Sequence, residues 1–379
     1  MLKTWKKMKV SEFATVVTGG TPKTSQSEYW SGDIQWMSSG EVNEGRVYST
    51  KKRITRLGLE NSNAQILPVD SVMIALAGQG KTRGMTAILK TETTCNQSLA
   101  AILPSPSFDS EYLYLSLSSR YKEIRAMSGS EGRSGLNLKM IKSIEVVLPD
   151  LGTQKKIVTK IKALENAISL TDQLLTQTEL LKKGFISQLL ARKSKLFTHN
   201  PYDTKWRAVQ LGDILEYEQP TKYIVDGTNY HSSNQLPVLT AGKTFVLGYT
   251  DEKEGVFEEG LPVIIFDDFT TDMKYVDFPF KIKSSAMKIL KGKQKGNNIK
   301  LIYELMKGLS FSPANHKRHW ISEYQNLFIE LPDPDEQERI AEIIDQFDKQ
   351  ALVNKRLKDK QIELKRGLTK ELLGGRIRV

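Results

Sequence analysis

Several stretches of this 379-residue chain have the residue types and spacing to do chemistry, and the first is Gly78-Gln79-Gly80-Lys81-Thr82-Arg83-Gly84. Its glycines and cations resemble a phosphate-binding loop. That motif, G-x-x-x-x-G-K-[ST], needs a glycine five residues before Gly80, where this chain has Ala75. It also needs a following helix, whereas Met85 to Leu89 reads as a strand. The loop suits DNA better. Glycine permits close backbone approach, and Gln79, Lys81 and Arg83 can bond phosphates or base edges. A second stretch, Asp267-Asp268-Phe269-Thr270-Thr271-Asp272, holds three carboxylates and raises the thought of a nuclease metal centre. Such a centre needs ligands converging from several elements, and no partner is evident nearby. Aspartate can instead accept from cytosine N4, so Asp267, Asp268 and Thr270 are read as candidate base contacts.

The other motifs fall short of catalysis. Pro149-Asp150 and Pro332-Asp333 open helices, where aspartate caps free amides. His199-Asn200-Pro201-Tyr202 lacks the second proline of an amino-methyltransferase motif. One cysteine and four histidines offer no CxxC or HxxxH zinc spacing. Polar candidates for DNA contact are Trp36, Ser38, Ser39, Asn43, Asn96, Gln97, Arg133, Ser134 and Asn137 in the first half. In the second half they are Thr240, Lys243, Tyr249, Lys274, Lys317 and Arg318. No catalytic, cofactor or metal residue is assigned.

The elements that must position these residues occur twice. Leu148-Pro149-Asp150, with Gln154 and Ile157, returns as Leu331-Pro332-Asp333, with Gln337 and Ile340, at a shift of 183 (331 minus 148). The shift holds to Lys182-Lys183-Gly184-Phe185 and Lys365-Arg366-Gly367-Leu368, so two helices of equal length are expected. Trp5-Lys6-Lys7-Met8 matches Trp206-Arg207-Ala208-Val209 at a shift of 201 (206 minus 5). The first body therefore carries about 18 more residues (201 minus 183) than the second, as loops. Expected boundaries are 1–150 for the first body, 151–193 for its helix, 194–205 for a linker, 206–333 for the second body and 334–376 for its helix.

Each body is expected to be an α+β globule. Strands are read at Ser71 to Leu76 and Pro262 to Phe266, with late helices around Tyr112 to Arg125 and Ile299 to Leu309. In the long segments Ile157, Ile161, Leu164, Ile168 and Leu175, and Ile340, Ile344, Phe347 and Ala351, fall on 3-4 spacing. The stripes are continued through Leu181, Phe185 and Leu189, and through Leu364, Leu368 and Leu372. Thr171 and Asn354 interrupt them and set register. The economical assembly is an antiparallel coiled-coil hairpin with a body at each end.

Composition limits the partners. The formal charge is +11, with 55 Lys and Arg against 44 Asp and Glu, which favours a polyanion. No apolar run spans a bilayer and no signal-peptide core is present, so a cytoplasmic protein bound to nucleic acid rather than membrane is expected.

Taken together, the repeat, the Leu-Pro-x-x-x-x-Gln openings and the local motifs resemble the specificity subunit of type I restriction-modification systems. Those motifs are Trp30-Ser31-Gly32-Asp33-Ile34-Gln35-Trp36-Met37-Ser38-Ser39-Gly40, Cys95-Asn96-Gln97 and Gly135-Leu136-Asn137-Leu138. Leu239-Thr240-Ala241-Gly242-Lys243 and Phe266-Asp267-Asp268-Phe269-Thr270 look like a recurring second-domain type. The resemblance implies an α+β fold, two pseudo-symmetric α/β target-recognition domains joined by two long antiparallel coiled-coil helices. It implies a noncatalytic subunit that reads one half of an asymmetric bipartite DNA site with each domain. The helices would act as ruler and as platform for two methyltransferase subunits, which modify adenine. Where a restriction arm exists, two motor-nuclease subunits would join. S-adenosylmethionine, ATP and magnesium would sit on those partners. The alternative weighed against this is a coiled-coil scaffold that meets DNA only nonspecifically.

Overall fold

The computed structural model describes residues 5–78, 80–129, 135–190, 206–227, 230, 236–240, 244–309 and 319–377. The chain divides into two compact units, residues 1–171 with 357–379 and residues 172–356. Each body is opened and closed by the same two-stranded clasp. Lys6–Lys9 pairs antiparallel with Glu145–Leu148 in the first, and Arg207–Gln210 with Phe328–Leu331 in the second.

Inside each clasp lie three layers. In the first body a five-stranded sheet runs in the order Val16–Thr18, Leu99–Ile102, Val72–Ala75, Thr86–Leu89, Arg46–Val47. Its central strand obeys the period of two: Val72 and Ile74 face the helix Ser110–Ser119 through Leu113 and Leu117, while Met73 and Ala75 face Met37 and Cys95. In the second body the central strand Val263–Asp267 does the same. Ile264 and Phe266 pack on the helix Ile299–Lys307, whereas Val263 and Ile265 pack on Leu239 and Ile282. The third layer is a small sheet with one parallel pair, Trp36↔Thr94 in one body and Val238↔Lys281 in the other. Burial of each such Leu, Ile or Phe contributes about 1.5–3 kcal/mol, so the alternation fixes the register of the central strands.

The long helices span Leu151–Leu190 and Pro334–Leu373, 40 residues each. The second ends three residues before the expected 376, and the expected last turn of the first and the linker lie outside the described residues. Asp150 caps the first by accepting from the Thr153 amide at 2.9 Å, and Asp333 caps the second by accepting from the Glu336 amide at 3.0 Å.

The repeated glutamine explains the shared opening motif. Gln154 donates to the Pro149 carbonyl at 2.7 Å and accepts from the Asp109 amide at 2.8 Å. Gln337 donates to the Pro332 carbonyl at 3.0 Å and accepts from the Asn298 amide at 2.9 Å. Asp109 and Asn298 are the N-caps of the two body helices. One buried side chain thus ties the start of each long helix to the start of its body helix.

Helix pairing is antiparallel in each unit. In the first, Ile157 and Ile161 cluster with Leu368 and Leu372; in the second, Ile186 and Leu189 cluster with Ile340 and Ile344. The seam is corrected at one repeated position: Leu181 and Leu364 are exposed at 64% and 57%. Unbroken 4-3 spacing from Ile157 and Ile340 runs through Lys182 and Lys365 instead. Each lysine meets a carboxylate of the opposite helix, Lys182 with Asp348 at 2.6 Å and Lys365 with Glu165 at 2.7 Å. Thr171 is buried in the seam and donates to Gln361 at 3.0 Å.

The end of the second helix seats on the first body. Gly375 has φ +71°, and a Cβ there would lie 2.9 Å from the Trp5 ring. A side chain at that position is excluded twice, by conformation and by space.

Candidate nucleic-acid interface

The glycine-and-cation loop of the first body connects two adjacent strands of its main sheet. Val72–Ala75 leads in and Thr86–Leu89 leads out, antiparallel, with Ile74 opposite Thr86. Gly84 closes the turn at φ +82° by donating to the Ala75 carbonyl at 2.9 Å. The helix Tyr121–Ala126 braces the loop. Tyr121 donates to the Lys81 carbonyl at 2.7 Å, and Arg125 to the Arg83 carbonyl at 3.2 Å. With the loop backbone held, Lys81 is exposed, while Arg83 is buried. Arg83 is therefore corrected from a ready DNA contact to a residue of the loop's interior. Leu136 and Asn137 dock beside the loop, Leu136 donating to the Leu76 carbonyl at 2.8 Å. Asn137 is exposed and caps the helix Leu138–Ser143 by accepting from the Met140 amide at 3.0 Å.

The acidic loop of the second body occupies the same place in the repeated topology. Val263–Asp267 leads in and Met273–Val276 leads out, with Phe266 opposite Met273. Asp267 turns inward and accepts from the Phe269 and Thr270 amides at 2.8 and 3.0 Å, an Asx-type turn that shapes the loop. Asp268 is 2% exposed, accepts from the Trp320 amide at 2.9 Å and lies 3.7 Å from Lys288. Both aspartates are corrected: they build the loop and do not present carboxylates to a base edge. What the loop presents is Phe269, Thr270 and, on the outgoing strand, Lys274, all exposed. Thr240 and Tyr249 are half-buried at the small sheet. Among the described residues no group of three His, Cys, Asp or Glu side chains could hold a metal ion.

The remaining first-body candidates divide between structure and surface. Trp36 is corrected to a core residue, buried at 5% exposure with its indole donating to the Gly20 carbonyl at 2.9 Å. Ser38 makes a capping box with Glu41, both its amide and hydroxyl donating at 2.7 Å. Ser39 begins the short helix that follows and is half-buried. Asn43 and Gln97 are exposed. Asn43 donates to the Gly40 carbonyl at 2.6 Å and Gln97 accepts from Thr21 at 2.5 Å. Asn96 is half-buried and accepts from the Ser98 amide at 3.1 Å. Gln79, Arg133, Ser134, Lys243, Lys317 and Arg318 lie outside the described residues.

Sequence reasoning did not single out Phe269, which is exposed directly after the two buried aspartates at the Asx turn. The run Lys51-Lys52-Arg53 reads from sequence equally as a solvated face or as a phosphate contact, and Lys52 and Arg53 lie on the strand Lys52–Ile54.

The family model described as "Type I restriction modification DNA specificity domain" matches residues 2–180 and 203–364. The chain is 46% identical over 156 residues to the Type I restriction enzyme EcoR124I/EcoR124II specificity subunit of Escherichia coli, covering 38% of each. It is 24% identical over 290 residues to the MjaIX specificity subunit of Methanocaldococcus jannaschii, covering 68% of this chain and 66% of that one. These alignments span less than two thirds of either relative's length. The crystal structure of a type I restriction-modification S subunit from M. genitalium shares the fold with a TM-score of 0.62 at 13% identity, over 98% of this chain and 96% of that chain.

Proposed function

The chain belongs to the type I restriction-modification DNA specificity family, and from that premise we propose that it is the noncatalytic subunit that reads a bipartite, asymmetric DNA site. Each body takes one half of the site. The observation that carries this reading is the pair of hairpin loops at one place in a repeated frame, Gly78 to Gly84 and Asp267 to Asp272, with unlike side chains. A shared frame presents both loops alike, and different exposed residues read different bases. Lys81 and Asn137 serve the first half-site, Thr270 and Lys274 the second. The paired 40-residue helices set the spacing between the halves and seat two adenine methyltransferase subunits, with motor-nuclease subunits joining where the system restricts. S-adenosylmethionine, ATP and magnesium act on those partners.

The test is co-expression with the methyltransferase subunit, followed by single-molecule methylation mapping. A bipartite motif with one methylated adenine on each strand is the expected result. A stable complex that leaves no motif would replace this reading with that of a scaffold bound to DNA nonspecifically.

A further inference from the structure

The cations Lys51, Lys52 and Arg53 line a cleft of about 500 Å³ in the first body, together with Thr24, Trp30, Ser31 and Gly32. The cleft sits at a break in strand pairing: both Trp30 and Ile34 register with Ile54, so residues 31–33 bulge out of the sheet. Ser31 takes φ +64° to make the bulge, and Gly32 lies so close beneath it that a Cβ would meet the Ile54 carbonyl oxygen at 2.6 Å. The cation-bearing strand is held by its backbone. The Lys51 amide donates to Glu41 at 2.8 Å, the Thr50 amide to Gln35 at 2.8 Å, and the Thr50 hydroxyl to the Lys52 carbonyl at 2.8 Å. Trp30, which lines the cleft, meets the buried Trp36 edge to face at 5.1 Å, and the Lys52 ammonium lies 5.6 and 5.9 Å from their centroids. Those rings steer Lys52 by cation–π attraction.

Two further facts define the ligand. Among the described residues no carboxylate pairs with Lys51, Lys52 or Arg53, whereas Lys7, Arg46 and Lys90 of the same body all have acidic partners. Every polar side chain lining the cleft carries a donor, and no carboxylate or amide oxygen is among them. Three cations and two hydroxyls turned to one cleft suit a group that only accepts and carries negative charge.

We propose that this cleft holds a backbone phosphodiester of duplex DNA. The proposal rests on the DNA-reading function above and adds to it an anchor independent of sequence. In that arrangement the cleft sets the position of the first body on the backbone while its hairpin loop reads bases.

The experiment measures binding of the full chain to a random-sequence duplex between 50 and 200 mM KCl, for the wild type, K51A/R53A and, as an equal charge change on the first long helix, K155A/K156A. Each phosphate that the protein ceases to neutralise lowers the slope of log Kobs against log[salt] by about 0.9. The expected result is a slope lower by that amount, for every phosphate released, in K51A/R53A, with K155A/K156A keeping the wild-type slope. An unchanged slope in K51A/R53A, or equal reductions in both variants, would overturn the cleft. A wild-type chain with no measurable duplex affinity would overturn both the cleft and the DNA-reading function. Duplex binding with the expected slope change but no methylation motif would sustain the cleft and sink the bipartite reading alone.

Discussion

Glu111 of the first body lies 3.3 Å from Lys162 of its long helix, and at the matching position of the second module Lys300 lies 3.3 Å from Asp345, with the charges exchanged. The match is set by the body helices, since Glu111 and Lys300 each stand two residues past the N-cap, Asp109 and Asn298. On the long helices, Lys162 and Asp345 stand 183 apart (345 minus 162), the interval of the repeat. Each body is therefore charge-matched to its own helix, and at this position exchange would set Glu111 against Asp345 and Lys300 against Lys162. Around this shared ion pair the first module adds Arg46 and Lys90, which reach Glu111 at 3.0 and 2.8 Å.

Acid should unfasten the first body through Glu111. Burial alone raises its carboxyl, but hydrogen bonds from Arg46 and Lys90, and their charges, outweigh that and hold it at about 2, below the ordinary 4.5. A carboxyl lowered in the folded state stabilises fully above about pH 4.5, and the stabilisation is lost as pH falls toward 2. The side chain is 9% exposed, so the contribution is about 3 kcal/mol. Glu111→Gln should lower Tm at pH 7 and flatten the acid arm of the Tm-against-pH curve. An acid arm as steep as that of the wild type would show that other carboxylates govern it.

Gln154→Leu and Gln337→Leu each remove two hydrogen bonds and leave a body-helix amide and a proline carbonyl without them. The expected cost is about 2–4 kcal/mol for either. Hydrogen exchange should locate it: faster exchange near Asp109 for the first variant and near Asn298 for the second. Exchange raised equally at both sites in each variant would contradict a local tie.

Half-site reading is testable with exposed loop residues. Lys81→Ala should relax one half of the methylation motif and Lys274→Ala the other, each by about 1–3 kcal/mol of base discrimination where the side chain reaches a base. Equal loss in both halves from a single substitution would count against one body reading one half.

Removing one heptad from each long helix shortens it by about 10 Å, roughly three base-pair steps. The motif recovered by methylation mapping should then have a shorter spacer with unchanged half-sites. An unchanged spacer would rule out the helices as the measure of separation.

The sequence made the repeat legible because translation of one segment onto another needs no knowledge of packing. The equal helices and their starts followed from it, while β-rich runs marked the central strands. The direction of side chains did not follow. Asp267 and Asp268 looked like presented carboxylates, yet an Asx turn and the Trp320 amide claim them from inside. Trp36 looked like a surface aromatic because its partner, the Gly20 carbonyl, is 16 residues away. Leu181 and Leu364 looked like seam residues since leucine is the expected type there, while the geometry of the seam selects the neighbouring lysines.

The antiparallel seam also restricts how such a chain can change over generations. Its bodies differ in length by about 18 residues (201 minus 183), a difference that surface loops tolerate. An insertion in one long helix moves every later residue out of step with its neighbour, separating Lys365 from Glu165 or Lys182 from Asp348, unless the other helix gains the same number. Helix length is therefore inherited as a coupled trait, altered by paired events or by duplication of the whole module, whereas the bodies are free to diverge one at a time.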